Sequence, residues 1–367
     1  MAENLTKKRM IEQDVAKGLA MVIVLLTHSL TLFTTGGRDT EVTGVALILT
    51  AAFAFIMPFF VFMAGYNYRD KGESYGTSLK KRVWQLVPQF FMLATALWVI
   101  MGAYMMIRGE ISLANVLKSY VAFWIGDPLA AQLGLDASRT FVAQGLGPTW
   151  FIKYLITASI IFYAVVKYAL SNTKNLFIVI FGLLSISAIL SALKVELIWG
   201  IHDAPAVAAI MVTGAYFGSK RLLNGEESAG IRWINCAIVY VVYYALGIIF
   251  PRIGMFSSGR IDMVVGPVEV FVTEFVAIAG TYFMICICRP LSRVRGIGRF
   301  LQWFGRRSLI ILIVHGSIMR ICCDIMGITG QPNKLGMNNI IAFAMCLVIT
   351  SVFLLIRDKV KENKVKK

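Results

Sequence analysis

Two helical segments of the sequence carry side chains that could perform acid–base chemistry. Lys17 and His28 are eleven residues apart in QDVAKGLAMVIVLLTHSL, and on a helix that spacing returns to within about 20° of the same face. At about 1.5 Å per residue, His28 lies roughly 16 Å further along the segment than Lys17. His315, in SLIILIVHGSIMR, is a second histidine well inside an apolar run. An imidazole with a pKa of about 6.5 can take a proton from an alcohol or attack a carbonyl itself.

Other polar residues in the apolar segments have competing interpretations. Each buried histidine could instead be a packing residue that bonds a neighbouring helix, and His202 has the position of an interface residue. Asp14 lies one turn before the lysine, near the same face. Glu274 is a lone acid that could orient a histidine or neutralise a buried base. Arg320 and Asp324 are one turn apart, and we expect them to pair with each other.

The composition indicates whether these residues lie in a water-soluble or a membrane protein. Of the 367 residues, 58% are hydrophobic and 15% are charged, with a mean hydropathy of +0.73. Soluble domains carry about 25% charged residues, so a cytosolic enzyme, a disulfide-stapled secreted domain and a disordered regulator are all excluded. The net charge of +16 would suit nucleic acid, but the basic residues lie between apolar runs. They therefore indicate membrane orientation rather than a nucleic-acid partner.

The apolar runs predict an all-α, polytopic membrane protein, read as one domain over residues 1–367 with short basic tails. A crossing helix needs about 20 apolar residues. Ten runs meet this: 14–33, 43–67, 84–107, 149–170, 175–193, 203–219, 232–250, 266–288, 305–327 and 338–356. Segment 111–125 is apolar but short, which favours an interfacial or partly inserted helix.

The distribution of lysine and arginine predicts the orientation. With both termini in the cytoplasm, 26 of the 36 basic residues lie on or near cytoplasmic segments, as the positive-inside rule requires. We expect a multi-pass protein of the plasma membrane. The six cysteines lack zinc-ligand spacing, and we expect no metal.

A basic cluster follows the second apolar run. Its members are Arg69, Lys71, Lys80, Lys81 and Arg82. Such a cluster can hold phosphate groups through charge-assisted hydrogen bonds. It can equally be an ordinary positive-inside loop bound to anionic lipid headgroups, and the composition favours this second interpretation.

Taken together, the motifs resemble the acyltransferase-3 family of integral membrane acyltransferases. Lys17 and His28 are similar to the family's basic residue and histidine in the first helix. FFVFMAGYNYR resembles the end of its second helix, with Ala64 in place of a serine. KKRVWQLVP resembles the start of the third, and GRRSLIILIVH resembles a late helix. GPTWFIKYLI resembles a tryptophan-phenylalanine helix, without the glutamate of some members.

The resemblance implies transfer of an acyl group, usually acetyl from the co-substrate acetyl-CoA, to a hydroxyl of a sugar or related acceptor. The acceptor would be a cell-surface glycan or its lipid-linked precursor. The resemblance also implies that His28 and Lys17 are essential and that the basic cluster is part of the donor site. The chain departs from the family where Arg82 is followed by Gln85 rather than a second arginine.

These expectations assign a role to each candidate residue. His28 would be the general base or would accept the acyl group, and Asp14 and Lys17 would set the electrostatics at the cytoplasmic mouth. Arg69, Lys81 and Arg82 would bind the phosphates of the coenzyme. His315, Glu274 and Trp150 would bind the acceptor or handle protons.

Two other functions fit the same sequence. A secondary transporter of a small solute also places charges at mid-depth, and the acceptor could be a small molecule such as an antibiotic. Membrane lipids are expected partners, and a homo-oligomer is compatible with the sequence.

Overall fold

The fold is a bundle of helices. A computed structural model describes residues 11–31, 55–125, 145–195, 197–220, 222–223, 238, 241, 267–330 and 336–365. Within these ranges the chain has no strand, and eight helices are long and apolar enough to cross a membrane. The predicted all-α, polytopic membrane fold is therefore confirmed. The total of ten spans and the cytoplasmic termini stay predictions, because run 232–250 and most of run 43–67 lie outside the described residues.

Eleven helices make up the described bundle. They are α1 (Ile11–Thr31), α2 (Ile56–Tyr66), α3 (Tyr75–Ile107), α4 (Leu113–Ile125), α5 (Trp150–Ala169), α6 (Thr173–Ala192), α7 (Ala204–Ser219), α8 (Pro267–Arg293), α9 (Ile297–Gly305), α10 (Ser308–Ile325) and α11 (Met337–Val365). Short 3₁₀ turns at Gly147–Thr149 and Ile198–Gly200 precede α5 and α7.

Helix α7 is buried almost throughout and packs against α2, α5, α6 and α8. Glycines allow the close approach of α2 and α7. A Cβ on Gly65 would lie 1.9 Å from the carbonyl oxygen of Met211, and one on Gly214 would lie 2.2 Å from that of Phe62. Small residues are the usual contact between helices in lipid, where burial of apolar surface drives no association.

Helix α1 packs against α8, α9, α10 and α11, and its tightest neighbour is the short helix α9. Gly18 touches the backbone of Leu301, and Gly305 touches the backbone of Asp14. As α9 runs from Leu301 to Gly305, its partner on α1 runs backwards from Gly18 to Asp14, so the two helices are antiparallel. These contacts fix the segment that carries His28.

Segment 111–125 forms helix α4, whose 13 residues extend about 20 Å and cannot cross the hydrocarbon layer of about 30 Å. Its last carbonyl groups have partners inside the bundle. Lys153 Nζ donates to the carbonyl of Phe123, and Trp199 Nε1 donates to that of Trp124 at 2.6 Å. A positive charge at the carboxyl end of a helix also complements the helix dipole.

Helix α3 begins nine residues before the predicted run 84–107. Ser74 caps its first turn, because the Ser74 hydroxyl accepts a hydrogen bond from the backbone N–H of Thr77 at 3.4 Å. The basic residues Lys80–Arg82 therefore lie on a helix and not in a loop, which fixes the direction of each side chain.

Candidate active site

His28 and His315 meet in the interior of the bundle. His315 Nε2 lies 3.0 Å from His28 Nδ1, the ring centroids are 5.0 Å apart and the ring planes differ by 17°. Rings stacked face to face keep their atoms about 3.5–4.0 Å apart, so a 3.0 Å contact between nitrogens is an edge-to-edge hydrogen bond. Two histidines from separate helices, α1 and α10, thus contact each other directly.

The partners of His315 assign the protons on both rings. His315 is fully buried and contacts no acid among the described residues, so it is neutral, because an unpaired buried charge is costly. His315 Nδ1 lies 2.8 Å from the carbonyl oxygen of Ile311, which can only accept, so this nitrogen carries the proton. His315 Nε2 is then the acceptor and His28 Nδ1 the donor. Nε2 of a neutral His28 is left with a free lone pair.

His28 is the accessible ring of the pair. It is partly exposed, whereas His315 is sealed, and His28 Nε2 has no partner among the described residues. The bundle holds the pair from two sides. Gly145 packs on the backbone of Gly316, beside His315, and Asn339 Nδ2 donates to the carbonyl of Ser29 at 2.8 Å, beside His28. This geometry can support a base or nucleophile on His28 backed by a neutral acceptor.

Asp14 and Lys17 lie on the first turns of α1, away from the histidine pair. Asp14 is buried, and its Oδ2 accepts a hydrogen bond from Arg306 Nε at 3.1 Å. Asp14 precedes His28 by fourteen residues, about 21 Å along a helix, so it does not contact the imidazole. Its ion pair secures the start of α1 to the α9–α10 junction.

The three predicted donor-site cations differ in whether they already have hydrogen-bond or ion-pair partners. Arg69 Nη1 donates to the carbonyl oxygens of Tyr66 and Tyr68 at 3.0 and 2.6 Å, closing the end of α2. Lys81 forms an ion pair with Glu73, which lowers the pKa of that carboxyl through the hydrogen bond from the ammonium group. Arg82 is partly buried and pairs with no acid among the described residues, so its guanidinium can accept an incoming anion.

The chain matches one known protein family. The family model for an acyltransferase domain, Acyl_transf_3, covers residues 11–357, nearly the whole chain. The chain belongs to the acyltransferase-3 family. No curated protein and no solved structure matches it. The protein is therefore an acyltransferase that moves an acyl group other than an aminoacyl group, and a membrane protein.

The acyltransferase has aromatic neighbours around Arg82 that the sequence analysis missed. Tyr163, on α5, lies close enough to Arg82 for an electrostatic interaction. Its ring is 6.1 Å from that of Tyr68. Burial raises the pKa of Tyr68 to about 12, so its phenol stays protonated and can donate a hydrogen bond at neutral pH. Lys167, one turn after Tyr163, donates to the carbonyl of Glu73 at 2.7 Å. In the sequence, the only indication of these neighbours was Lys167, the basic residue near the end of α5.

Glu274 and Trp150 have partners other than the histidine pair of the acyltransferase. Glu274 accepts a hydrogen bond from the Thr213 hydroxyl on α7, and its Oε2 has no hydrogen-bond partner among the described residues. Within the part of the chain that the structure describes, the acid bonds neither a histidine nor a buried base. Trp150 opens α5 and packs on Tyr154 with ring centroids 5.1 Å apart, directly after the 3₁₀ turn that touches α10.

The remaining polar residues of the acyltransferase have structural partners. Arg320 Nε donates to Asp324 at 2.9 Å, as expected, and its Nη2 donates to Glu110 at 2.8 Å. Tyr104 also donates to Asp324, at 3.0 Å, which ties the end of α3 to α10. His202 Nδ1 accepts the backbone N–H of Leu197 at 3.0 Å, outside the histidine pair.

Proposed function

We propose that this membrane acyltransferase transfers an acetyl group from acetyl-CoA to a hydroxyl of a cell-surface sugar or polysaccharide precursor, in the plasma membrane. The single observation that carries the chemistry is the His28–His315 hydrogen bond, because it leaves a lone pair on the one imidazole nitrogen that is free to react. Membership of the family supports acyl transfer. The donor and the acceptor are our inference from the motifs.

His28 acts as general base in the direct route. As the acceptor hydroxyl attacks the thioester carbonyl, its proton passes to His28 Nε2. The resulting imidazolium still donates through Nδ1 to His315 Nε2, and a hydrogen bond to a charged group is stronger than one to a neutral group. The thiolate of the coenzyme leaves and takes the proton from His28, which restores the neutral pair.

The same lone pair permits a covalent route. His28 Nε2 would attack the thioester carbonyl, the coenzyme would leave as its thiolate, and His28 would carry the acetyl group until the hydroxyl displaces it and gives its proton to the thiolate. The two routes differ in one observable, because only the covalent one leaves label on the protein when acceptor is withheld.

Arg82 is the best placed of the three proposed phosphate ligands, since Arg69 and Lys81 already have partners. Its guanidinium would pair with the diphosphate of the coenzyme. Lys17 lies on the same helix face as His28, three turns nearer to the cytoplasm, and would attract the donor. Asp14 would position α1 through Arg306.

His315 acts as a positioning residue that fixes the tautomer of His28. Glu274 and Trp150 are kept as acceptor-side candidates, one buried between α7 and α8 and the other beside the turn that touches α10. The described partners of both are other residues, so we expect their substitution to affect transfer through acceptor binding.

The test is to incubate purified, reconstituted protein with acetyl-CoA labelled in the acetyl group, with and without a panel of glycan and lipid-linked sugar acceptors. We expect acceptor-dependent release of the thiol and label on the sugar. Thiol release that no sugar stimulates, with label appearing on a small-molecule acceptor instead, would overturn the proposed acceptor class.

A further inference from the structure

The turn between α8 and α9 carries an unusual combination of exposed side chains. Arg293, Arg295 and Arg299 are exposed, and none pairs with an acid among the described residues. Val294 and Ile297, between them, are 45% and 55% exposed. Segment 289–307 contains six arginines and no acidic residue.

The other three arginines of this segment have hydrogen-bond or ion-pair partners within the protein. Arg289 donates to the carbonyl of Leu223, Arg306 pairs with Asp14, and Arg307 pairs with Asp358. Among the described residues of this segment, the arginines without an acidic partner are therefore the three at the turn itself.

The packing of α9 against α1 indicates how deep Val294 and Ile297 lie in the membrane. Leu301 touches α1 at Gly18 and Gly305 touches it at Asp14, and α1 runs from Asp14 inward to His28. Ile297 precedes Leu301 by one turn, so it lies about 6 Å deeper along α1 than the Gly18 contact. The chain turns at Gly296, whose φ is +88°. A Cβ at this position would meet no atom of the described residues beyond its chain neighbours within 4 Å. Exposed valine and isoleucine at this depth, beside arginines that can extend outward, fit the boundary between headgroups and acyl chains.

We propose that the α8–α9 turn, residues 293–299, is a binding site for anionic phospholipid. The three arginines hold the phosphate of the headgroup, and Val294 and Ile297 contact the acyl chains. A basic segment at the cytoplasmic face meets the anionic lipids of that leaflet. Because α9 rests on the backbone of α1, bound lipid also holds α9 against the helix that carries His28.

The experiment measures the thermal unfolding of the purified full chain in nanodiscs of phosphatidylcholine alone or with added phosphatidylglycerol. A ligand that binds the folded state raises the melting temperature. Each basic residue near an anionic surface changes the affinity about fivefold. Replacing all three, in R293Q/R295Q/R299Q, should therefore weaken phosphatidylglycerol binding on the order of a hundredfold and abolish its added stabilisation.

A matched variant separates this site from general surface charge. K174Q/K359Q/K361Q also removes three exposed basic residues with no described acidic partner, and it should keep the stabilisation by phosphatidylglycerol. Equal loss in both variants would overturn the proposal.

A second pair of measurements tests the lipid nature of the ligand and remains informative if the arginine variant does not fold. V294S/I297S keeps every charge and should lower the stabilisation by phosphatidylglycerol, because a lipid contacts both parts of the turn. Full stabilisation of the wild-type protein by soluble glycerol phosphate, lost in R293Q/R295Q/R299Q, would identify a free phosphate site and overturn the lipid assignment.

Discussion

Replacing His315 by leucine isolates the contribution of the histidine pair to catalysis. The variant keeps an apolar side chain at a fully buried position but removes the acceptor of the His28 Nδ1 hydrogen bond. A hydrogen bond to a charged group contributes about 1.5–3 kcal/mol. Because that charge forms only as His28 takes up a proton, kcat should fall about 10- to 150-fold.

The KM for acetyl-CoA should stay within about twofold, because the proposed donor-binding cations lie after the end of α2 and at the start of α3, and a transition-state interaction affects kcat rather than ground-state binding. The assay is thiol release by reconstituted protein at saturating acceptor, with a melting curve to show that the variant is folded. His315→Gln should recover part of the rate, since its amide oxygen can accept from His28.

Cys346→Ala is the matched control, because its thiol lies 3.8 Å from the backbone carbonyl of His315 without touching the ring. It should retain nearly full kcat. A folded His315→Leu protein with wild-type kcat, or one changed only in KM, would refute the proton assignment derived from the Ile311 contact.

Three further outcomes follow from the packing and the basic cluster. Gly305→Val should destabilise the fold by about 1–3 kcal/mol, since a Cβ there would lie 1.8 Å from a backbone oxygen of α1, whereas Gly182→Ala, inside α6 and facing open space, should not lower the melting temperature. Arg82→Gln should raise the KM for acetyl-CoA about tenfold with kcat nearly unchanged, through loss of one charge-assisted contact; an unchanged KM would remove it from the donor site. Glu73→Gln should lower that KM by freeing Lys81. Because the Lys81 hydrogen bond lowers the pKa of Glu73, the pair persists through neutral pH and breaks only as the carboxylate is protonated in acid, where the two proteins should converge.

Hydropathy was sufficient to place most of the fold. Eight of the predicted runs correspond to long apolar helices, because crossing the hydrocarbon layer imposes the same length and composition on every span. Helix α9 was missed, since nine residues within an arginine-rich stretch are too short to give a span signal. Its position depends on the glycine contacts with α1, which are tertiary.

The sequence named candidate site residues but not their contacts. The sequence placed His28 and His315 in separate apolar segments, and only the packed structure gives the hydrogen bond between them and the role of Ile311. The partners of Glu274 and Lys81, Thr213 and Glu73, could not be read from the sequence. Single charged residues have no periodic pattern, so their partners depend on how the helices are rotated.

The central claim is that the chemistry of this acyltransferase takes place at the free nitrogen of His28. The most direct measurement is transfer of labelled acetyl from acetyl-CoA by His28→Ala, compared with His202→Ala as the histidine control outside the pair. We predict that His28→Ala is folded and transfers no label, whereas His202→Ala transfers it at close to the wild-type rate. Label transfer by a folded His28→Ala protein at the wild-type rate would contradict the account.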